Sequence, residues 1–235
     1  MRRFLAALAV FCALSAAAQK PYFTLDEMPD LVKCLPPPPD TSDVAFKYDV
    51  IRYEWGKQMR ADPERVAEVR RDAVWDLDTL AAIFSVPFGL EISASGTPQI
   101  HKAFMDAIST IEQIRVKPKE HYMRTRPFVL FREPSIFPED DDWIGKEGSY
   151  PSGHTIRGWG AALVLAEINP AASEKIFERG WRYGDNRVIA GAHWQSDVDA
   201  SRAAADIAYS LIQTSPAYRK QIARARKEFR KIARQ

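Results

Sequence analysis

Lys119, Arg126, Ser152, Gly153, His154, Arg187, His193 and Asp197 stand in the second half of this 235-residue chain, and their types suit work on a tetrahedral oxyanion. Lys119 comes seven residues before Arg126-Pro127. Pro151-Ser152-Gly153-His154 follows, and Arg187, His193 and Asp197 close the series at spacings of six and four. Two guanidinium forks match phosphate oxygens two at a time, and the lysine adds a point charge. Ser152-Gly153 reads as a helix start, where backbone N–H groups and the helix dipole favour an anion; Gly153 lets that backbone approach closely. Each cation alone would be an ordinary surface charge. Their order beside two histidines points to one site.

His193 and Asp197, four apart at a helix start, share a face. An aspartate that accepts from one ring nitrogen fixes the tautomer and frees the other nitrogen to attack phosphorus. That leaves His154 to protonate the leaving oxygen. On an unbroken helix Arg187 and His193 would point about 240° apart at roughly 100° per residue, so the reading requires a break between them, marked by Gly191. His101, on an amphipathic helix, reads as structural, and His121 has no chemical role despite lying between Lys119 and Arg126.

Those elements must come from one domain of ordinary size with enough apolar content, 46%, to bury a core. Residues 1–18 read as a signal peptide: Arg2-Arg3, an apolar run from Phe4 to Leu14, then Ala16-Ala17-Ala18. Without the two arginines the 33 bases fall to 31, equal to the 31 acids. Neutrality gives no support for nucleic-acid binding, and no later apolar run approaches a membrane span. Export permits disulfides, yet Cys12 lies in the signal and Cys34 is left without an intramolecular partner. Four scattered histidines show no metal-ligand spacing, so neither metal nor cofactor is expected.

Residues 19–44, with Pro36 to Pro39, predict an extended arm over the body, and residues 45–235 a helical domain. Asp62-Pro63 starts a helix whose apolar stripe runs through Val66, Val69, Ala73, Leu77 and Leu80. Thr97-Pro98 starts another, through Ile100, Phe104, Ile108 and Ile111. Further helices are expected over 152–168, about 171–183 and about 192–214. Ser215-Pro216 opens the last, whose residues 219–235 carry eight bases and one acid on a solvated face. Residues 129–150 predict a long acidic loop of the kind that is often functional. No alternating strands are evident, so the fold class is all-α, a single-domain helical bundle.

The motifs resemble the signature of the type 2 phosphatidic acid phosphatase superfamily, which also contains the vanadium haloperoxidases: K-x6-R-P, P-S-G-H and S-R-x5-H-x3-D. The chain is more closely similar to the class A bacterial non-specific acid phosphatases, in Tyr122-Met123-Arg124 before Arg126-Pro127-Phe128, in Gly148-Ser149-Tyr150, in His193 to Asp199 and in the early prolines. The resemblance implies an all-helical bundle, often dimeric, in the periplasm or outside the cell. It implies a metal-independent phosphomonoesterase acting through a phosphohistidine, with His193 as nucleophile, Asp197 orienting it and His154 the proton donor. Lys119, Arg126, Ser152, Gly153 and Arg187 would hold phosphoryl oxygens, and the partners would be phosphomonoesters and inorganic phosphate. Phosphoryl transfer to an alcohol is a further expected activity. Two positions depart from the pattern: Asn186 replaces the motif serine, with a modest effect expected, and Ala190 stands where a class A cysteine is expected, leaving a family disulfide absent.

Three other readings share the anion site. A vanadate-dependent haloperoxidase would brominate with peroxide, and a lipid or diphosphate phosphatase would ordinarily carry membrane spans. An exported phosphate-binding protein would leave His154 and the His193/Asp197 pair without a task.

Overall fold

The computed structural model describes residues 21–234; the expected signal peptide lies outside them. Twelve α-helices in chain order make the body among these residues: α1 (Leu31–Cys34), α2 (Val44–Met59), α3 (Pro63–Asp72), α4 (Leu77–Phe88), α5 (Pro98–Ile111), α6 (Val116–Tyr122), α7 (Pro127–Phe131), α8 (Asp141–Ile144), α9 (Gly153–Ile168), α10 (Ser173–Ile189), α11 (Gln195–Ile212) and α12 (Pro216–Ile232). No strand occurs among the described residues, and none of their helices is long and apolar enough to cross a membrane. The all-α expectation stands.

The helix starts follow local chemistry. Asp62 and Asp76 accept from the first-turn amides of α3 and α4, Ser152 and Ser215 do the same for α9 and α12, and proline opens α3, α5, α7 and α12. α9 is buried along most of its length, as an all-round apolar helix must be. It packs against α10, α11 and α5, and α12 packs mainly on α5 and also reaches α9. Ile108, Ile111, Ile156, Leu165, Ile176 and Tyr183 belong to the main core these helices enclose.

Three sequence expectations change. The stripe from Val66 to Leu80 is two helices, because Asp76 caps a new one through the Thr79 amide at 2.7 Å; residues 73–76 between them form part of the site described below. The proline-rich segment is not extended throughout. It contains a 3₁₀ turn (Leu25–Glu27) and α1, with Met28 and Leu31 buried, and it is tied down where the Tyr150 hydroxyl donates to the Pro36 carbonyl at 2.6 Å. Cys34 is free and exposed. The acidic stretch 129–150 contains the end of α7 and all of α8, since Asp141 turns inward to accept from the Ser135 amide (3.0 Å) and hydroxyl (2.5 Å).

The break required between Arg187 and His193 is present. α10 runs on to Ile189, six residues beyond its expected end, Gly191 has φ 77°, and α11 begins at Gln195. An added Cβ at Gly191 would also lie 2.6 Å from Arg60 Nη2, whose Nε donates to the Ile189 carbonyl at 2.8 Å. Gly191→Ala should therefore cost about 1–2 kcal/mol. Thermal unfolding should show a Tm lowered by roughly 3–6 °C; an unchanged Tm would mean that this turn carries no such constraint.

Candidate active site

Six of the eight residues singled out in the sequence line one cavity of about 360 Å³: Lys119, Arg126, Gly153, His154, Arg187 and His193. They arrive from helix ends. Lys119 is on α6, Arg126 is the N-cap of α7, Gly153 and His154 open α9, and Arg187 is in the last turn of α10. His193 occupies the turn that follows, where its amide donates to the Arg187 carbonyl at 3.3 Å and draws the two residues together. Ser152 and Asp197, both fully buried, stand behind the wall. The Ser152 hydroxyl caps α9, accepting from Thr155. Its amide donates to Ser201 Oγ at 2.7 Å, which in turn donates to the Asp197 carbonyl at 2.6 Å, lacing the starts of α9 and α11 together.

His193 is not on the helix that carries Asp197. The two still meet, because Asp197 folds back over the start of α11 to accept from the Trp194 amide at 2.9 Å, and its Oδ2 lies 3.4 Å from His193 Nδ1. At the other ring nitrogen, Arg126 Nη1 lies 3.2 Å from Nε2. A guanidinium has only donors, so Nε2 must be the acceptor. In that tautomer the proton is on Nδ1, on the side of Asp197 but without a hydrogen bond, and the Nε2 lone pair is directed at Arg126.

The cations differ in what they have left to give. Arg126 donates to the carbonyls of Ile144 (2.9 Å), Glu147 (3.2 Å), Ala192 (2.9 Å) and Gly148 (3.4 Å), so most of its N–H groups position the loop and turn. Lys119 donates to the Gly148 carbonyl at 2.5 Å. Arg187 is 3% exposed, and its Nε and Nη1 have no protein partner. A buried guanidinium with two unsatisfied nitrogens is costly unless an anion completes it. At Gly153, an added Cβ would meet Arg115 Cδ at 2.9 Å and Trp75 Cη2 at 3.1 Å, so the missing side chain makes room for the cavity wall.

Residues 103–219 match the PAP2 superfamily model. A non-specific acid phosphatase of Providencia stuartii is 41% identical over 204 residues, covering 86% of this chain and 82% of that protein. The corresponding figures for one from Salmonella typhi are 39%, 215 residues, 91% and 86%. An acid phosphatase of Zymomonas mobilis is 31% identical over 197 residues, 84% of this chain and 74% of its own. The chain belongs to the PAP2 superfamily. Within it, the chain sits with the class A bacterial non-specific acid phosphatases, as its motifs indicate.

In this class A chain several site residues had no role in the sequence reading. Arg124 donates to Asp197 Oδ1 at 2.5 Å, to Ser196 Oγ at 2.8 Å and to Asp49 Oδ2 at 2.7 Å; Asp49, on α2, also accepts from the Ser196 amide at 2.8 Å. Arg124 stands in the flanking words of the resemblance, which hint at it, whereas Asp49 lies 147 residues from Ser196 with no motif around it. The Ala73 carbonyl accepts from His154 Nε2 at 3.0 Å, and the Trp75 ring meets His154 edge-on at 4.6 Å. Asn186 turns away from the site, its amide donating to Glu68 (2.9 Å) and Asp72 (2.7 Å). His101 pairs with Asp78 at 2.7 Å, and His121 is absent from the cavity wall.

Burial, then the charges of Arg126, Lys119 and Arg187, push His193 well below the ordinary imidazole range. Burial and Arg187 do the same to His154, against the Ala73 carbonyl. Both rings are thus held toward the neutral form. Lys119 is lowered to about 7, by burial first and the Arg126 charge second, and Arg126 is lowered to about 10 mainly by burial.

Lys119 ionises in the unfolded chain near the ordinary lysine value of about 10.4. Between about pH 7 and that value the unfolded state binds more protons, so the destabilisation due to Lys119 is complete below about 7 and fades as pH rises. Lys119→Met should therefore raise Tm in phosphate-free buffer near pH 6, with the gain shrinking toward about pH 10. Added phosphate should raise the Tm of the parent more than that of the variant. A variant less stable than the parent at pH 6 would show that Lys119 is not an uncompensated buried cation.

Proposed function

We propose that this protein is an exported, broad-specificity acid phosphatase that hydrolyses phosphate monoesters through a phosphohistidine at His193. The observation that carries the reading is the contact of His193 Nε2 with Arg126 Nη1 at 3.2 Å, in a cavity that Arg187, with two buried unpartnered nitrogens, also lines. Non-specific acid phosphatase names on relatives 39–41% identical support the same chemistry. Export rests on the signal-like residues 1–18.

In the proposed cycle Lys119, Arg126, Arg187 and the α9 amides at Gly153 hold the phosphoryl oxygens. Nε2 of His193 attacks phosphorus, the bond to the leaving oxygen breaks, and the developing imidazolium keeps its Nδ1 proton toward Asp197. His154 donates a proton to the leaving oxygen. Because the Ala73 carbonyl occupies its Nε2 proton, the exchangeable proton is the one on Nδ1. The negative charge of a bound phosphoryl group raises the depressed His154 pKa toward the range this step needs. In the second step water attacks phosphorus, His154 takes the proton back, and the P–N bond breaks; an alcohol in place of water gives phosphoryl transfer. Three side-chain cations supply the charge that a metal would otherwise bring to the phosphoryl oxygens, so the reaction is proposed to be metal-independent.

His193→Ala removes the nucleophile and should lower kcat on p-nitrophenyl phosphate by several powers of ten, roughly as other nucleophile deletions do. Rapid quench with ³²P-labelled ester should give an acid-labile, base-stable phosphoprotein in the parent and none in the variant. A fully active His193→Ala protein would end the mechanism.

His154→Ala is tested by varying the leaving group. An alkyl phosphate needs a proton on its departing oxygen, whereas nitrophenolate leaves as a stable anion. The loss in kcat should therefore be at least about ten-fold greater on the alkyl ester. Equal losses would reduce His154 to a positioning role.

A further inference from the structure

Arg115, at the end of the 3₁₀ turn Glu112–Arg115, lines the same cavity as the phosphoryl cations and is not used by the proposed cycle. Its stem is clamped against the backbone of α9, where Gly153 leaves 2.9 Å between an ideal Cβ and Arg115 Cδ. Its guanidinium lies over the Trp75 ring, 5.2 Å from the centroid. Arg115 Nε is buried with no hydrogen-bond partner, and no carboxylate pairs with the residue among those described. The neighbouring Arg157 differs: it stacks on Trp75 at 3.6 Å but is neutralised by Glu112 at 2.5 Å.

We infer that Arg115 is a specificity residue that receives a second anionic group, phosphate or carboxylate, on the leaving portion of the substrate. This rests on the phosphatase reading above, and goes beyond it by naming which phosphomonoesters the site favours. The phosphoryl group would sit among Lys119, Arg126 and Arg187, with the second anion a few bonds away in the same cavity. Two carboxylates also line that cavity, but they do not cancel Arg115. Glu147 acts on Lys119 and Arg126, and Asp140 accepts from Trp143 Nε1 at 3.0 Å. Arg115 instead adds to the positive field, depressing Lys119 and Arg157. A fixed cation without a counter-ion, on an aromatic wall beside the reaction cavity, is suited to an anionic substituent.

The test compares matched pairs in the parent, Arg115→Gln and Arg115→Lys at one pH. The first pair is fructose 1,6-bisphosphate against fructose 6-phosphate, and the second is 4-carboxyphenyl phosphate against phenyl phosphate. The parent should prefer the doubly anionic member by about ten-fold in kcat/KM, the scale of one charge-assisted hydrogen bond at a partly exposed site. Arg115→Gln should bring that ratio near one, and Arg115→Lys should restore part of it. A preference in only one pair would still support the inference and identify the anion received. Calorimetry with 3-phosphonopropionate against propylphosphonate repeats the comparison without turnover. Loss of all hydrolysis with a preserved binding ratio would therefore count against the proposed function and leave the Arg115 assignment standing. Equal handling of both members by the parent, or an unchanged ratio in Arg115→Gln, would overturn it.

Discussion

Asp197 carries its carboxylate at zero exposure, and it can do so because Arg124 donates to one oxygen at 2.5 Å while the Trp194 amide donates to the other at 2.9 Å. A buried carboxylate next to a histidine would ordinarily draw a proton onto the ring. Here its charge is largely answered from behind, so burial and the cations of the cavity outweigh the opposing Ser149 backbone contact, and the ring is held toward the neutral form. The same contacts tie the molecule together. Arg124 precedes α7, Asp49 belongs to α2, and Asp197 and Ser196 open α11. Removing any one charged member would strand the others in a low-dielectric interior, where an unpaired ion costs far more than a pair contributes.

In front of this network the balance is reversed. Lys119, Arg126 and Arg187 face one cavity with their pKa values depressed, meaning that folding places positive charges together against their preference. Such sites are held in place by the rest of the structure, and their strain is relieved by the ligand they are built for. Arg126 shows how the holding is done. Its guanidinium gathers the carbonyls of Ile144, Glu147, Gly148 and Ala192, from both the acidic stretch and the turn before α11. One side chain thereby sets the positions of the two segments that form much of the cavity.

What the sequence disclosed and what it hid follow from the range of the forces involved. Helix starts at Pro63, Gly153 and Pro216 were legible because a cap and its target amides are a few residues apart; at Pro98 only the proline was, since the Gln99 and Ile100 amides donate to the distant Glu228. The residues that gather at the cavity were legible because their types and order are those of a known signature. The partners that tune them were not. Asp49 reaches Ser196 across 147 residues, and the group that holds His154 is a backbone carbonyl, which any residue at position 73 would provide. The break at 73–76 escaped the periodicity because Val69, Leu77 and Leu80 are buried whether or not the helix between them is continuous. Asn186 stands in place of the motif serine, but two acids of α3, Glu68 and Asp72, claim its amide, and that pairing has no trace in the local sequence.

The missing cysteine at position 190 raised the question of what staples the turn before His193. The answer is distributed among weaker contacts. The Ile136 amide donates to the Ala190 carbonyl at 3.0 Å, and Arg70 on α3 donates to the Ile136 carbonyl at 2.7 Å. Ile136, Phe137, Ile189, Ala190 and Ala192 are buried in one small apolar cluster with Val69. A disulfide acts largely by restricting the unfolded chain, whereas these contacts act in the folded state and need no oxidising compartment. Phe137 also lies under the Arg187 guanidinium, 5.9 Å from its ring centroid. The same cluster that fixes the turn therefore supports the cavity-lining arginine with its two unpartnered nitrogens, so the geometry of His193 and Arg187 rests on packing where a covalent bond is absent.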